Sequence, residues 1–222
     1  PPAAQRRIAV ALDDPEMPVE ARVTAIFTLG EALGDDAHSI LLRLGKDDDP
    51  RLREAALRTL ADRKGPASRV SAAPFVEALA DPDALVRVQA VRGLARIAPY
   101  DAADHLMGAA VDADRTVAHV ARRALAELGD AGSGAALRAL DEGGDLERTA
   151  ALEVLSRIHS PVVVGALAGR LAAARGEAER VALAGALGRL MHQEGYWDGS
   201  WWGNQPNTEG PYFNPVRWRE SA

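Results

Sequence analysis

Five histidines are the residues in this sequence most able to bind a metal or transfer a proton. They are His38, His105, His119, His159 and His192. No His-Glu-x-x-His motif is present, and no two histidines stand four residues apart, the spacing that brings two imidazoles to one helix face for zinc. We therefore expect ordinary surface or half-buried histidines and no metal site.

Acidic and glycine-rich segments offer little other chemistry. The run Asp47–Asp49 lacks the alternating ligands, central glycine and terminal glutamate of a calcium-binding loop, and helix capping explains it better. The glycine-rich stretch 129–134 follows a predicted helix, so it favours a loop between repeats over a phosphate-binding loop. Since no nucleophile–base pair is evident either, the sequence predicts no catalytic, metal-binding or cofactor-binding residues.

Composition excludes several classes of protein. The 222 residues include no cysteine, which removes disulfides, thiolate catalysis and covalent c-type haem. The formal net charge of −6 argues against a dedicated nucleic-acid binder. Apolar runs fall short of the roughly 20 residues that span a bilayer, and no signal-peptide pattern is evident. We expect a soluble chain with no membrane span. The composition does not indicate its cellular compartment.

Helix-forming residues dominate the chain until about residue 193. Alanine accounts for 45 residues, and only Lys46 and Lys64 among the 26 basic residues are lysines. Alanine, leucine and arginine favour helices, whereas β-branched runs with period-two alternation are absent. The sequence therefore predicts an all-α fold.

One pattern recurs in six copies: an arginine, a small apolar residue three positions later and a leucine seven positions later; the leucine is present in all six copies and the arginine in five. The copies are Arg22-Ala25-Leu29, Arg53-Ala56-Leu60, Arg87-Ala90-Leu94, Ala118-Ala121-Leu125, Arg148-Ala151-Leu155 and Arg180-Leu183-Leu187. A shorter apolar helix and an Asp-rich or Gly-rich turn precede each copy. Such units cannot bury an apolar face alone, so stacking must make the core continuous.

The predicted fold is an α-solenoid of about six helix pairs with an irregular aromatic C-terminal cap. The array covers 1–193 and the tail covers 194–222. The six units are about 3–33, 35–63, 66–98, 101–128, 131–158 and 161–193.

The turn and second helix of each unit resemble a HEAT repeat of the short, alanine-rich bacterial type. The clearest copy is 81–94, Asp-Pro-Asp-Ala-Leu-Val-Arg-Val-Gln-Ala-Val-Arg-Gly-Leu. The resemblance implies an armadillo-like helical protein in which turn aspartates and helix arginines form a ladder between neighbouring repeats. On that basis we expect Asp49 to pair with Arg53 and Asp83 with Arg87. The candidate ladder residues are Arg22, Arg53, Arg87, Arg148 and Arg180.

Four further arginines are the candidate partner-binding residues of the concave face. Arg58, Arg92 and Arg123 follow the small residue of their repeats by two positions, and Arg96 follows it by six. Helical spacing places these positions on one exposed side. They form either a solvated face with internal pairs such as Arg123–Glu127, or a groove for an acidic peptide or, less favoured, a phosphate backbone.

The tail contains all four tryptophans, and its candidate aromatic site is Trp197, Trp201, Trp202, Tyr212 and Trp218. The composition of the tail is compatible with three roles: a cap over the last helix pair, a platform for a sugar or other flat ligand, or a docking segment for a neighbouring domain. The stretch 196–213 resembles a segment that follows HEAT repeats in large exported proteins of planctomycete-type bacteria, between a dehydrogenase-like propeller and a c-type haem domain. That resemblance implies a periplasmic or exported protein, but without Cys-x-x-Cys-His no redox activity follows.

The leading functional hypothesis is a non-enzymatic HEAT-repeat scaffold for protein–protein interaction or domain spacing. Its partner would be a protein, a peptide or a neighbouring domain of the same assembly. The alternative is a module of a larger exported haem-containing dehydrogenase-like protein. A HEAT-like DNA-repair glycosylase is disfavoured by the negative charge, and a HEAT-like bilin lyase shares only the repeat length.

Overall fold

The computed structural model describes residues 7–8, 10–12, 14, 16–62, 70–193 and 216–219. The described part is built from eleven α-helices and two short strands, which confirms the all-α repeat fold. The helices are α1 Val19–Leu33, α2 His38–Leu44, α3 Pro50–Ala61, α4 Ala73–Ala78, α5 Ala84–Ile97, α6 Ala102–Ala109, α7 Arg115–Glu127, α8 Asp130–Glu142, α9 Asp145–Leu155, α10 Pro161–Ala173 and α11 Glu177–Leu190. A 3₁₀ turn, Gly34–Ala37, precedes α2. The strands are β1 His192–Gln193 and β2 Val216–Arg217.

The chain divides into two compact units, Pro1–Leu128 and Gly129–Ala222. In the first unit, the helices α1, α3, α5 and α7 pack side by side in chain order. The shorter helices α2, α4 and α6 each pack against the helix that follows them. No helix in the described ranges has the length and apolar content needed to cross a membrane.

The repeated leucine is the centre of the core in each repeat of the first unit. Leu29, Leu60, Leu94 and Leu125 are fully buried. Full burial of such a side chain contributes about 1.5–3 kcal/mol to folding. The periodic sequence pattern thus marks the side of each helix that its neighbours cover.

Aspartate side chains start three of the packed helices. Asp49, Asp83 and Asp114 precede α3, α5 and α7 in extended backbone conformation. Each carboxylate accepts an amide hydrogen of the first helical turn at 2.8–2.9 Å. This confirms the capping role expected for the acidic turns, and it sets where each helix begins.

The second unit pairs α8 with α9, α10 with α11 and α9 with α11. Its helix α8 begins at Asp130, so the prediction of a loop at 129–134 was wrong. Gly132 and Ser133 are buried in the first turn of this helix, and the Ser133 amide donates to the Gly129 carbonyl at 2.8 Å. Packing against α9 outweighs the low helix propensity of glycine at these positions.

Candidate partner-binding groove

Arginines of one repeat bind aspartates of the next repeat's turn throughout the first unit. Arg53 donates to both carboxylate oxygens of Asp81, with Nε–Oδ2 and Nη2–Oδ1 distances of 2.8 Å. Arg22 donates to Asp47 at 3.2 Å. The Arg53 Nη1 atom also donates to the carbonyls of Asp47 and Asp48 in its own turn. One guanidinium therefore fixes its own turn and the neighbouring one, a role suited to its planar set of donors.

The pairing within the ladder differs from the sequence expectation. We expected Asp49 to pair with Arg53 and Asp83 with Arg87, but Arg53 binds Asp81, and Arg87 binds Asp112. Asp49 and Asp83 instead accept amide hydrogens at the starts of their helices. An N-cap carboxylate turns towards its own helix end, which directs it away from the arginine one turn later.

The two remaining candidate ladder arginines belong to the second unit. Arg148 lies 4.0 Å from Asp145, which is a residue of its own helix α9. Arg180 is an exposed residue of α11. Their turns contain Gly143-Gly144 and Arg175-Gly176 in place of the Asp-x-Asp sequence.

Two ladder aspartates, Asp81 and Asp112, are ionised more readily than an isolated carboxyl group, because their pKa values are lowered. The side-chain hydrogen bond from Arg87 lowers the pKa of Asp112, against the opposing effect of burial. Burial alone would raise the pKa of Asp81, but hydrogen bonds from Arg53 and from the Asp83 amide outweigh it, so this pKa is also lowered. The bonded carboxylates therefore stabilise the first unit electrostatically.

The four arginines predicted on the inner face line a single groove. Helices α3, α5 and α7 enclose a groove of about 660 Å³. Its lining comprises Arg58, Ala61, Asp62, Gln89, Arg92, Ala95, Arg96, His119, Val120, Arg123, Ala124 and Glu127. We call it the basic groove, because four guanidinium groups face two carboxylates and leave two positive charges in excess.

Two internal acids neutralise part of the basic groove. Asp62 accepts a hydrogen bond from Arg96 at 2.8 Å and lies 3.8 Å from Arg58. Arg123 donates to Glu127 at 2.9 Å, so the internal pair considered from the sequence is present. Among the described residues, Arg92 forms no ion pair, and its side chain is exposed. The centre of the groove therefore offers a guanidinium without an internal partner.

A second, smaller groove of about 350 Å³ lies between α1 and α3. It is lined by Val19, Glu20, Val23, Phe27, Arg51, Glu54, Ala55 and Arg58. We call it the apolar groove after its valines and its phenylalanine. The guanidinium carbon of Arg58 lies 5.5 Å from the centre of the Phe27 ring, a cation–π contact. Sequence reasoning did not single out this site, although the i, i+4 spacing of Val23 and Phe27 on α1 was a signal for it.

The histidines occupy separate environments. His119 lines the basic groove, and Nε2 of His105 lies 3.3 Å from a carboxylate oxygen of Asp101. His159 Nε2 is 2.8 Å from the carbonyl oxygen of His192. Within the described ranges, no three metal-binding side chains come together.

Of the predicted aromatic tail residues, Trp218 lies among the described residues, whereas Trp197, Trp201, Trp202 and Tyr212 lie outside them. Trp218 is 6% exposed and contacts the edge of His159, with ring centres 5.2 Å apart. Its amide donates to the Met191 carbonyl at 2.9 Å, next to the antiparallel pairing of β1 with β2. The residues just before the end of the chain thus pack beside the end of α11.

Comparison with known proteins supports the repeat fold. A family model described as HEAT repeats matches residues 72–156. No curated protein sequence matches the chain. The resemblance of the tail to exported proteins therefore stays a prediction.

Among solved structures, a designed armadillo repeat protein in complex with peptide (KR)4 is 17% identical with a TM-score of 0.50, covering 83% of this chain and 98% of its own. An engineered protein solved as structural genomics target OR497 is 20% identical with a TM-score of 0.50, covering 85% of this chain and 58% of its own. At these identities the similarity concerns the fold alone. The chain has the helical-repeat fold that HEAT and armadillo proteins share, and its segment 72–156 is similar to HEAT repeats.

Proposed function

We propose that this chain is a non-enzymatic interaction scaffold whose basic groove binds an acidic peptide segment of a protein partner. The observation that carries the proposal is the gathering of Arg58, Arg92, Arg96 and Arg123 around one groove. These residues come from the helices α3, α5 and α7, which pack side by side. An elongated ligand that crosses the three helices would therefore meet the arginines in turn.

The chemistry of the groove favours carboxylates as its ligands. A guanidinium donates two parallel hydrogen bonds to a carboxylate, and Arg92 has no internal acid to displace first. A nucleic-acid backbone would extend its negative charge beyond the groove over a chain of net charge −6, whereas a short acidic peptide meets only the groove and its excess of guanidinium groups. The designed armadillo repeat protein was solved with a basic peptide, whereas the excess of guanidinium groups in this groove favours an acidic one.

The test is fluorescence anisotropy with the whole chain, a labelled peptide of alternating Asp and Glu, and (KR)4 as the control of opposite charge. We expect the acidic peptide to bind at low salt and (KR)4 not to bind. Arg92→Glu should weaken binding about tenfold or more, which corresponds to at least about 1.4 kcal/mol.

The matched control is Arg180→Glu, which makes the same change of net charge at an exposed position of α11 in the second unit, whereas the groove belongs to the first. We expect this variant to bind within about twofold of the wild type, because it keeps all four groove arginines and changes only the overall charge of the chain. Equal weakening by both substitutions, or no binding of the acidic peptide, would contradict the proposal.

A further inference from the structure

The apolar groove has a different character from the basic groove beside it. Val19, Val23 and Phe27 of α1 face Ala55 of α3 across it. Phe27 is 37% exposed, so part of its side chain is open to solvent beside the Arg58 guanidinium. Its two arginines are matched by two glutamates, Glu20 and Glu54, and its formal charge is zero.

Arg58 joins the two grooves, since its side chain lines both. Its guanidinium contacts the Phe27 ring on one side and approaches Asp62 on the other. A ligand that follows the basic groove towards α1 therefore passes Arg58 and arrives at Phe27. All of these residues belong to the first unit.

The size of the apolar groove indicates what it can hold. At about 350 Å³ it lies near the lower end of the roughly 300–1,000 Å³ found for ligand pockets. Such a volume accommodates one large side chain. Burial of an apolar side chain against Val23 and Phe27 is favourable, whereas an acidic side chain would lose its hydration there without an excess of positive charge in return.

The spacing of the helices sets the distance between the two contacts. Packed helices lie about 8–10 Å apart, so the middle of the apolar groove, between α1 and α3, is about 14 Å from Arg92 on α5. An extended peptide covers this distance in about four residues, at roughly 3.3 Å per residue.

From this geometry, and resting on the function proposed above, we infer that the partner segment has two parts. Acidic residues bind at Arg92 and its neighbours, and one leucine or aromatic residue about four positions away enters the apolar groove beside Phe27. The partner class is therefore an extended segment with a single apolar anchor next to an acidic run, rather than any acidic chain.

The experiment compares three labelled peptides on the full chain. The first is the acidic peptide alone, the second adds leucine about four residues from the acidic run, and the third has serine in place of that leucine. The second peptide is made in two versions, with the leucine on the N-terminal or on the C-terminal side of the acidic run, and both are measured. We expect leucine to tighten binding about tenfold over serine in one direction, equivalent to about 1.4 kcal/mol.

The protein variants separate this inference from the proposed function. Phe27→Ser should remove the leucine advantage, measured within each variant as the ratio of the affinities for the leucine and the serine peptide, whereas Phe27→Leu should keep most of that ratio. Val162→Ser, at an exposed valine of α10, is the control and should leave the ratio unchanged. Circular dichroism spectra of all variants check that the helices are retained.

Each outcome has a distinct meaning. If the acidic peptide binds and depends on Arg92, but leucine gives no gain or the gain survives Phe27→Ser, the two-part ligand is wrong and the basic groove stands. If no peptide binds the wild type, the proposed function itself fails. A leucine advantage that is lost in Phe27→Ser and retained in Phe27→Leu supports the inference.

Discussion

Arg87 and Asp112 form an ion pair with two hydrogen bonds, although they stand 25 residues apart in the chain. Nε donates to Oδ2 at 2.8 Å and Nη2 to Oδ1 at 2.9 Å. Asp112 also accepts the amide hydrogen of Asp114 at 2.7 Å, and Asp114 caps α7. The pair thus connects α5 to the start of α7, two of the three helices that carry the basic groove.

Replacement of the ladder acid should destabilise the first unit. Asp112→Asn leaves the Arg87 side chain, 16% exposed, without its counter-charge, and we expect a loss of about 1–3 kcal/mol. Urea unfolding followed by circular dichroism measures this loss. Glu77→Gln is the matched control, because its pair with Lys46 is about two-thirds exposed and should contribute less than about 1 kcal/mol. A cost for Asp112→Asn no larger than for Glu77→Gln would refute the ladder's role.

The first unit should lose stability in acid. The folded-state pKa values of Asp81 and Asp112 are lowered, whereas an unfolded aspartate titrates near about 3.9. Their contribution is therefore fully present above about pH 5 and lost as the pH falls through the lower, folded-state pKa. The free energy of unfolding, measured by urea titration at a series of pH values from about pH 6 to about pH 2, should show this decline.

The same titration on Asp112→Asn provides the control for that prediction. This variant should have a shallower dependence of unfolding free energy on pH, because it has lost one of the carboxyl groups whose folded-state pKa is lowered. An unchanged slope would mean that other carboxylates cause the acid sensitivity.

Gly93 lies where α5 meets the ring of Phe75 from α4. A methyl group at this position would overlap that ring, and Phe75 is fully buried. We expect Gly93→Ala to cost about 1–3 kcal/mol through overpacking, despite the better helix propensity of alanine. Gly108→Ala, in the open surroundings of α6, should instead be neutral or stabilise by up to about 1 kcal/mol. Thermal melting of both variants checks the difference in sign.

Removal of an internal acid should strengthen the binding of acidic peptide. Asp62→Asn releases Arg58 and Arg96 and raises the positive charge of the basic groove, so affinity at low salt should rise about threefold or more. Asp48→Asn makes the same charge change at an exposed position outside the groove and should have less effect. Anisotropy titrations at low and high salt test this, since screening should reduce the gain.

The repeat pattern predicted the helices well because its information is local. Leu60 and Leu94 follow their arginines at one spacing, and both are fully buried. Helical periodicity decides which side of a helix is apolar, and capping residues decide where it starts. For the same reason, positions counted from the small residue were sufficient to place Arg58, Arg92, Arg96 and Arg123 together.

The pairing of charges and the second groove depended on tertiary structure. Asp49 lies in the acidic turn before Arg53, and Asp81 lies in the acidic turn of the next repeat. The packing of successive repeats brings Asp81, and not Asp49, to the guanidinium of Arg53. Likewise, Phe27 became part of a groove because α1 lies against α3. The sequence by itself determined the helical repeats and their buried residues, through backbone propensity and apolar periodicity. Spacing along one helix was enough to suggest the pair Arg123–Glu127. Tertiary structure alone decided the pairs between repeats, such as Arg53–Asp81 and Arg96–Asp62, because these residues stand 28 and 34 positions apart, and closing such distances takes a packed core.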